Sequence, residues 1–465
     1  MQGSFMGRVS QPYNPLYDPM TDASVGRGSA YAPTYWIGTA GTPPADDGPV
    51  TGDMDVDVVV IGSGYTGLSC ALHLAKEFGI KAHVLEANGV AYGCSTRNGG
   101  QAQISAGRLK RSQWMARWGL DVAKGMHAEM AEAFDLFRGL LRDHAIDCDP
   151  QDGGHYYIAH RPWMMPVLAK EAALLRDTFG YGARMLSRDE LFETAVRDME
   201  AHGAMWEPDG TAIHAAKLAF GYLRAARELG AKVHVASPVE GWTTQNGIHH
   251  LRTPGGTVRA KAVAVATAGY APRGLHPRLR DRLMPILSNS ITTRPLTPAE
   301  LAECGFRTGS PLTDTRTLRH YYRLLPDNRV QIGSRAAITG RDAANPRHLA
   351  SLREGLARKF PALRGIDLDY SWWGWVDVSH DMMPRITSVP GLRNAYYALG
   401  YGGNGVMYSA QAGRRMAQLV AGQEAAVPQL PIFRSELPHE GWKTPFRRLG
   451  QWGLYHIYHQ RDERA

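Results

Sequence analysis

The sequence lacks any run of roughly eighteen apolar residues, the length that a membrane-spanning helix requires, so we expect no membrane span. Its N-terminal segment also lacks the apolar core of a secretory signal. Cysteine is scarce, and none of the four cysteines belongs to a CxxC pair. We therefore predict reduced thiols, with no disulfide framework and no metal site. Together these absences favour a soluble protein and predict a cytoplasmic location.

The chain also lacks a long basic tract, although its formal net charge is +8. Lysine and arginine are interleaved with aspartate and glutamate along the chain, and the basic clusters at 108–111, 278–282 and 447–448 are short. Dispersed charge of this kind is typical of a solvated surface. We expect no nucleic-acid partner, and the charge favours at most anionic small molecules.

The most specific motif is a strand, a glycine-rich turn and a helix. A β-branched run at 56–61 predicts a buried parallel strand, and Gly62-Ser63-Gly64-Tyr65-Thr66-Gly67 follows it directly before a predicted helix at 66–78. In such a unit the three glycines allow a tight turn, close approach of a pyrophosphate and close packing of helix on strand. A second strand at 81–85 leads to Glu86, whose carboxylate can accept a hydrogen bond from a ribose. The unit predicts a dinucleotide site without separating FAD from NAD.

Two further glycine-rich loops favour FAD. The loop at 93–101 lies just past the ribose carboxylate, where the far end of a dinucleotide would extend. The loop at 400–405 precedes the last strong helical pattern and can form a second site at a helix N-terminus, suited to the electron-rich edge of reduced flavin. Two remote loops converging on one flavin are a stronger signal than either loop alone.

These motifs identify a resemblance to a known family. The chain resembles the D-amino-acid oxidase (DAO) superfamily of FAD-dependent oxidoreductases, and is most similar to its γ-glutamylputrescine oxidoreductase branch. The similarity is carried by residues 57–86, 92–101, 372–384 and 400–409, and extends over about 30–425. It implies oxidation of a C–N bond in an amine or amino acid to an imine by hydride transfer to flavin N5. Hydrolysis of the imine follows, and oxygen or another electron acceptor reoxidises the flavin.

The resemblance also implies an α/β fold (α+β overall), with a Rossmann-type FAD-binding domain and an inserted β-rich substrate domain. We expect an irregular N-terminal arm that packs on the body through Tyr31, Tyr35 and Trp36, and a long helix at about 114–144. The expected boundaries are 1–53 for the arm, 54–145, 205–275 and 365–425 for the discontinuous FAD-binding domain, 146–204 and 276–364 for the substrate domain, and 426–465 for a C-terminal tail.

Cofactor contacts follow from the resemblance in four groups. In the dinucleotide motif they are Gly62, Gly64, Tyr65, Thr66, Gly67, Glu86 and Ala87. In the loop along the isoalloxazine they are Gly93, Ser95, Thr96, Asn98, Gly99, Gly100 and Gln101. Val239 is expected to contact adenine through its backbone, with Ala268 and Gly269 at a second turn beside the dinucleotide. At the pyrimidine edge of the flavin they are Gly402, Gly403, Asn404, Gly405, Val406 and Met407.

The chain departs from parts of the family pattern. Gln331 stands where relatives similar to monomeric sarcosine oxidase place a lysine implicated in oxygen activation, and Met407 stands where they place a carboxylate-binding lysine. The positions used for covalent flavin attachment in some relatives hold no suitable residue. We therefore predict non-covalent FAD and do not expect a plain sarcosine oxidase.

The catalytic candidates are Tyr321, Arg323 and Trp375. Strand alternation places Tyr321 and Arg323 on one face and His320 and Tyr322 on the other. Arg323 can clamp a substrate carboxylate with two hydrogen bonds, although a surface or domain-interface arginine fits the sequence equally well. Trp375 belongs to an aromatic strand that is either core or a cover over the flavin.

Three other functions remain open. An RNA-directed flavin oxidase shares this fold, but the dispersed charge disfavours it. A flavin monooxygenase or NAD(P)H-dependent reductase would need a second nicotinamide-binding unit or the Gly-Asp element of aromatic hydroxylases, and the sequence contains neither. A catalytically silent flavin-binding protein is the third alternative, because the substrate residues match the family least.

Overall fold

The computed structural model describes residues 11–463, so the outermost parts of the predicted arm and tail lie outside the described residues. Two eight-stranded sheets and one three-stranded sheet form its framework. None of the helices in this described range is long and apolar enough to cross a bilayer.

The first sheet contains the predicted dinucleotide unit. Its strands are β1 (Met54–Ile61), β2 (His83–Leu85), β9 (Lys232–His234), β10 (Gly241–Gln245), β11 (Ile248–Thr253), β12 (Gly256–Val265), β18 (Arg385–Ser388) and β19 (Ala395–Leu399). β1 lies between β12 and β2 and pairs in parallel with both. Its last four residues are fully buried, as expected of a strand covered on both faces.

The second sheet is mixed. Its strands are β5 (His155–Ile158), β6 (Arg184–Leu186), β7 (Ala204–Glu207), β13 (Leu283–Thr293), β14 (Leu312–Asp314), β15 (Tyr321–Leu324), β16 (Val330–Ser334) and β17 (Leu368–Ser379). They follow the order β17-β13-β16-β15-β14-β5-β7-β6. The third sheet consists of β3 (Gln101–Gln103), β4 (Gln151–Asp152) and β8 (Gly210–Ala212). The sequence predicts that 365–425 belongs to the FAD-binding domain. Within this range, β18 and β19 lie in the first sheet, whereas β17 pairs with β13 in the second.

Helices pack against both large sheets. They are α1 (Tyr35–Thr39), α2 (Tyr65–Phe78), α3 (Arg111–Trp118), α4 (Leu120–Asp143), α5 (Met164–Phe179), α6 (Arg188–Thr194), α7 (Ala215–Glu228), α8 (Pro298–Cys304), α9 (Gly340–Ala343), α10 (Pro346–Lys359), α11 (Tyr408–Val420), α12 (Pro431–Arg434) and α13 (Arg447–Glu463). α2 lies against β1 and contacts α7 and α11. Gly413 lets α11 approach α2 closely, since a Cβ there would lie 2.7 Å from the carbonyl oxygen of Thr66.

Three details differ from the sequence predictions. The single long helix predicted at 114–144 is two helices, α3 and α4, because Gly119 between them has φ +83°. The arm is not wholly irregular, since Thr34 accepts a hydrogen bond from Ile37 and caps α1. Tyr35 and Trp36 in α1 are buried against the body, as the sequence predicts. The tail, for which the sequence predicts no element, ends in the seventeen-residue helix α13.

Candidate active site

A glycine turn joins the buried strand β1 to helix α2. Gly62 has φ +100°, and a Cβ there would lie 2.7 Å from the carbonyl oxygen of Ala266. A Cβ at Gly67 would overlap the carbonyl oxygen of Gly62. Helix α2 begins after Gly64, with no side-chain N-cap and no acidic residue in its first turn. Its positive dipole end therefore suits an anion such as a pyrophosphate.

Glu86 lies at the carboxyl end of β2, beside this turn. Its Oε2 accepts hydrogen bonds from Ser63 N at 3.0 Å and Ser63 Oγ at 2.7 Å, and its Oε1 accepts one from Asn88 N at 3.1 Å. Burial raises the pKa of this carboxyl above its usual range despite these donors. The hydrogen bonds fix the orientation of the carboxyl group, whose remaining lone pairs can accept a sugar hydroxyl.

A cavity of about 230 Å³, here called the dinucleotide cavity, opens at the turn. Its lining includes eight of the predicted cofactor residues: Gly62, Gly64, Glu86, Ala87, Gly93, Ser95, Val239 and Ala268. Gly269 lines an adjoining pocket that shares Thr267 and Ala268 with it. Helix N-terminus, glycine turn and buried carboxyl thus face one cavity, and these residues fit the adenosine and pyrophosphate of FAD.

A second cavity adjoins the first at Cys94, which lines both. We call it the arginine cavity, because Arg97, Arg319 and Arg335 are in its lining. It brings together two loops that are remote in sequence, represented by Asn98, Gly99, Gln101, Gly403, Asn404 and Val406. Gln103, at the end of the strand β3 that follows the first loop, donates from Nε2 to Asn404 Oδ1 in the second loop at 3.1 Å. The convergence predicted from the sequence for the isoalloxazine is therefore present in the fold.

The other predicted cofactor residues support these cavities without lining them. Tyr65 OH donates to Ala215 O at 2.8 Å, Thr66 Oγ1 pairs with Tyr401 OH at 2.9 Å, and Thr96 Oγ1 donates to Ala91 O at 3.0 Å. Gly67, Gly100, Gly402, Gly405 and Met407 also lie in the supporting layer. Direct cofactor contact by these residues stays a prediction.

Tyr321 is the catalytic candidate that lines the arginine cavity. Its hydroxyl pairs with Ser288 Oγ and Ser290 Oγ, each at 2.8 Å, and its ring lies against Gly99 and Gly333. Burial raises the pKa of this phenol above its ordinary value, so Tyr321 remains a neutral hydrogen-bonding group near neutral pH.

Arg323 and Trp375 do not line the arginine cavity. Arg323 shares the face of Tyr321, as predicted, but its Nη2 donates to Ile213 O at 2.8 Å and its guanidinium stacks on Trp36. Burial lowers its pKa to about 10. Trp375 pairs with Leu287 on the opposite sheet face, where its Nε1 donates to Tyr17 O at 2.9 Å. These contacts make both residues part of the interior packing.

Sequence reasoning missed Arg319 and Arg335 in the arginine cavity. Arg319 Nε is buried and has no hydrogen-bond partner among residues 11–463, and Arg335 Nη2 donates to Gly402 O at 3.4 Å. Burial lowers the pKa of Arg335 below its usual value. Strand alternation could have indicated both residues, because position 319 is two residues before Tyr321 and position 335 is two residues after Gly333. Residues two apart on an extended chain point to the same face.

Asp377 was also missed. It lies on β17, where its Oδ2 accepts from Gly400 N and its carbonyl oxygen accepts from Gly402 N, each at 2.7 Å. Burial raises the pKa of its carboxyl group to about 7. Asp377 therefore fixes the backbone of the loop at 400–405 through two hydrogen bonds.

Gln331 occupies β16, opposite Arg323 and Thr292 in the second sheet. Both polar atoms of its buried amide lack a hydrogen-bond partner within the described chain. An uncharged amide at this place supplies no positive charge.

This combination defines a class of protein. A parallel sheet carries at its carboxyl edge a cavity that fits a dinucleotide, and a mixed sheet borders a second cavity beside it. This arrangement fits an FAD-dependent oxidoreductase.

Comparison with known proteins gives the family. The family model described as "FAD dependent oxidoreductase" (DAO) matches residues 57–419, and the chain belongs to this family. It is 33% identical over 413 residues to γ-glutamylputrescine oxidoreductase of Escherichia coli, with 85% of this chain and 91% of that protein covered. It is 29% identical over 402 residues to the probable oxidoreductase OrdL of Haemophilus influenzae, with 85% and 88% covered.

Solved structures agree in fold. Glycine oxidase from Geobacillus kaustophilus matches with a TM-score of 0.71 at 22% identity, over 83% of this chain and 100% of that one. L-proline dehydrogenase from P. horikoshii matches with a TM-score of 0.64 at 17% identity, over 83% and 96%. The predicted fold class, family and FAD cofactor are confirmed, and the chain is an FAD-dependent enzyme of a family that oxidises amines and amino acids.

Proposed function

We propose that the enzyme oxidises the C–N bond of a carboxylate-bearing amine, such as an amino acid, to an imine that water then hydrolyses. The observation that carries this proposal is the charge of the arginine cavity. Arg97, Arg319 and Arg335 line it, and no aspartate or glutamate of the described chain does. A free polyamine would be repelled there, whereas a carboxylate can pair with a guanidinium.

The three arginines differ in how far they are already engaged. Arg97 donates from Nε to Tyr92 O at 3.2 Å and lies over the rings of Tyr13, Tyr92 and Tyr270, so it belongs to the structure of the loop. Arg319 Nε and Arg97 Nη2 are buried without a hydrogen-bond partner among the described residues. Arg335 is half-buried, and its Nη2 makes one long hydrogen bond, 3.4 Å, to Gly402 O. A buried donor without an acceptor costs free energy, which a substrate carboxylate would relieve.

Bound FAD would supply the two-electron acceptor, taking a hydride from the substrate carbon at flavin N5. The side chains of this protein bind and orient the substrate and exclude water. Arg319 and Arg335 hold the carboxylate, and Tyr321, fixed by Ser288 and Ser290, forms a rigid wall beside Gly99. The amine nitrogen must lose its proton to solvent before the hydride leaves, because a protonated amine cannot donate its lone pair to the new C=N bond.

The γ-glutamylputrescine named for the relative in Escherichia coli combines an amine with an amino-acid carboxylate, and is one member of the substrate class proposed here. Oxygen or another molecule accepts the electrons, and the cytoplasmic location stays a prediction. No observation favours an RNA-directed oxidase, a monooxygenase or a NAD(P)H-dependent reductase.

The test is anaerobic reduction of the bound flavin by a panel of amines. Each N-alkyl amino acid is compared with the amine that lacks its carboxyl group, and loss of the visible flavin absorbance is followed. We expect the carboxylate-bearing member of a pair to reduce the flavin faster. Failure of every amine to reduce it, or faster reduction by the decarboxylated members, would contradict the proposal.

A further inference from the structure

A third cavity, of about 530 Å³, lies between the second sheet and the C-terminal tail. Met284, Ile286 and Val378 of the sheet line one side, and Phe446 and Leu454 of the tail line the other. We call it the tail cavity. Its volume is in the range of pockets that hold a small organic ligand. The tail residues lie beyond position 419, where the match to the family model ends.

The tail is fixed in place by interactions with distant parts of the chain. Arg316 Nε pairs with Glu463 Oε1 at 2.9 Å, Leu318 N donates to Asp462 Oδ2 at 2.9 Å, and Arg448 Nη2 pairs with Asp18 Oδ1 at 2.8 Å. Of the tail residues in these contacts, Asp462 is 6% exposed and the Arg448 side chain is 21% exposed. The tail cavity is therefore a defined space with anchored walls.

The tail cavity and the arginine cavity lie on the same face of one sheet. In the β13–β17 pair, Met284 is opposite Val378, Ile286 is opposite Val376, and Ser288 is opposite Gly374. Side chains two residues apart on a strand point to the same face. Ser288, Gly374 and Val376 line the arginine cavity. Met284, Ile286 and Val378, nearer the end of the same strand pair, line the tail cavity.

Arg335 lines both cavities and stands where they meet. Beyond it, the wall of the tail cavity is mostly apolar, and its charged residues are Arg108, Lys443 and Arg447 besides Arg335. No aspartate or glutamate of the described residues belongs to that lining. The chemistry suits a ligand with an anionic group near Arg335 and an apolar body extending toward the tail.

We propose that the tail cavity is a substrate subsite that accepts an extended apolar group of a substrate whose carboxylate pairs with Arg335. The subsite selects long or aromatic substituents over short ones such as a methyl group. This inference rests on the proposed function, because the carboxylate at Arg335 is shared by both. The helix α13 thereby acts in specificity, through a segment outside the family match.

The experiment measures binding to the oxidised holoenzyme, without turnover. Acetate, butyrate, hexanoate and octanoate are titrated, and the change in the visible flavin spectrum gives each Kd. We expect the Kd to fall about two- to fourfold for each methylene that enters the cavity. A Kd independent of chain length, or no binding by hexanoate and octanoate, would overturn the subsite.

Two variants fill the cavity from opposite sides. Met284→Trp adds bulk from the sheet, and Leu454→Trp adds bulk from α13. In each variant we expect the Kd to stop falling from acetate to octanoate. Leu449→Trp is the matched control, because Leu449 is 67% exposed on α13 and does not line the cavity. Flavin content and thermal unfolding check that each variant folds. If both cavity variants fold and the Kd still falls with chain length as in the wild type, the subsite is also overturned.

The outcome is separable from that of the proposed function. Flavin reduction by amino acids without a chain-length effect on Kd would reject the subsite alone. A chain-length effect that is lost in the variants, with no flavin reduction by any amine, would reject the proposed chemistry while the cavity still binds carboxylates.

Discussion

Asp377 Oδ2 accepts a hydrogen bond from the backbone nitrogen of Gly400 at 2.7 Å, and so joins the second sheet to the loop that borders the arginine cavity. Gly400 has φ +92° and begins a loop in which Gly402 and Gly403 also have positive φ. Since few side chains tolerate that backbone, the loop depends on fixed partners. Asp377 supplies two of them, its carboxyl and its carbonyl oxygen.

The first prediction concerns pH and Asp377. Burial raises the pKa of this carboxyl from 3.8 to about 7, so between these values the unfolded chain releases the proton while the folded chain retains it. The free energy of unfolding therefore falls as pH rises through this range, by up to about 4 kcal/mol for the shift. Urea unfolding at pH 4 to pH 8, compared between the wild type and Asp377→Asn, isolates the contribution. A difference that does not vary with pH would exclude this role.

The second prediction concerns Glu86 and the affinity for FAD. Glu86→Ala removes the carboxyl that Ser63 and Asn88 orient at the dinucleotide cavity. Loss of a charge-assisted hydrogen bond to the ribose should raise the Kd for FAD roughly 10- to 100-fold. Fluorescence titration of the apoprotein measures it. Asp57→Asn is the control. Asp57 lies on β1 of the same dinucleotide unit, but it is exposed and pairs with Lys261. The Kd of this variant for FAD should match that of the wild type.

The third prediction concerns the contact of β1 with α2. Gly67→Ala places a methyl group against the carbonyl oxygen of Gly62, which the turn cannot move without losing its shape. We expect a loss of about 1–3 kcal/mol in the free energy of unfolding, together with weaker FAD binding. Gly453→Ala in α13 is the matched control, because no atom of the described part of the chain lies within 4 Å of its added Cβ. That variant should be slightly more stable than the wild type, by about 0.5–1 kcal/mol. Equal stability of the two variants would show that the close packing does not matter.

The cofactor side of the fold was predictable because its signals are local. The turn from Gly62 to Gly67 requires glycine for reasons that act within a few residues, and a buried parallel strand reads directly as a β-branched run. Gly99 and Gly403 were found in the same way, as glycine-rich loops, and the fold places both in one cavity.

The substrate side depends on long-range register, which the sequence does not display. Strand alternation correctly grouped Tyr321 with Arg323, but the cavity reaches only Tyr321 and Arg319, because Arg323 lies under Gly100 beside Trp36. The strand around Trp375 carries aromatic residues on both of its faces, Trp372 on one and Trp373 on the other. Alternation alone therefore does not say which face is buried. Helix α13 is held by ion pairs to residues such as Asp18, hundreds of positions away in sequence.

The most direct test of the proposed chemistry compares flavin reduction by wild type and Arg335→Met in a stopped-flow experiment. Each enzyme is mixed anaerobically with an N-alkyl amino acid and with the amine that lacks its carboxyl group, and Arg341→Met, at an exposed arginine, is the control. We predict that Arg335→Met lowers the second-order rate of reduction by the amino acid about 10- to 100-fold, leaving the rate with the decarboxylated amine within about twofold. Equal losses with both substrates, or no loss with either, would contradict carboxylate recognition in the arginine cavity.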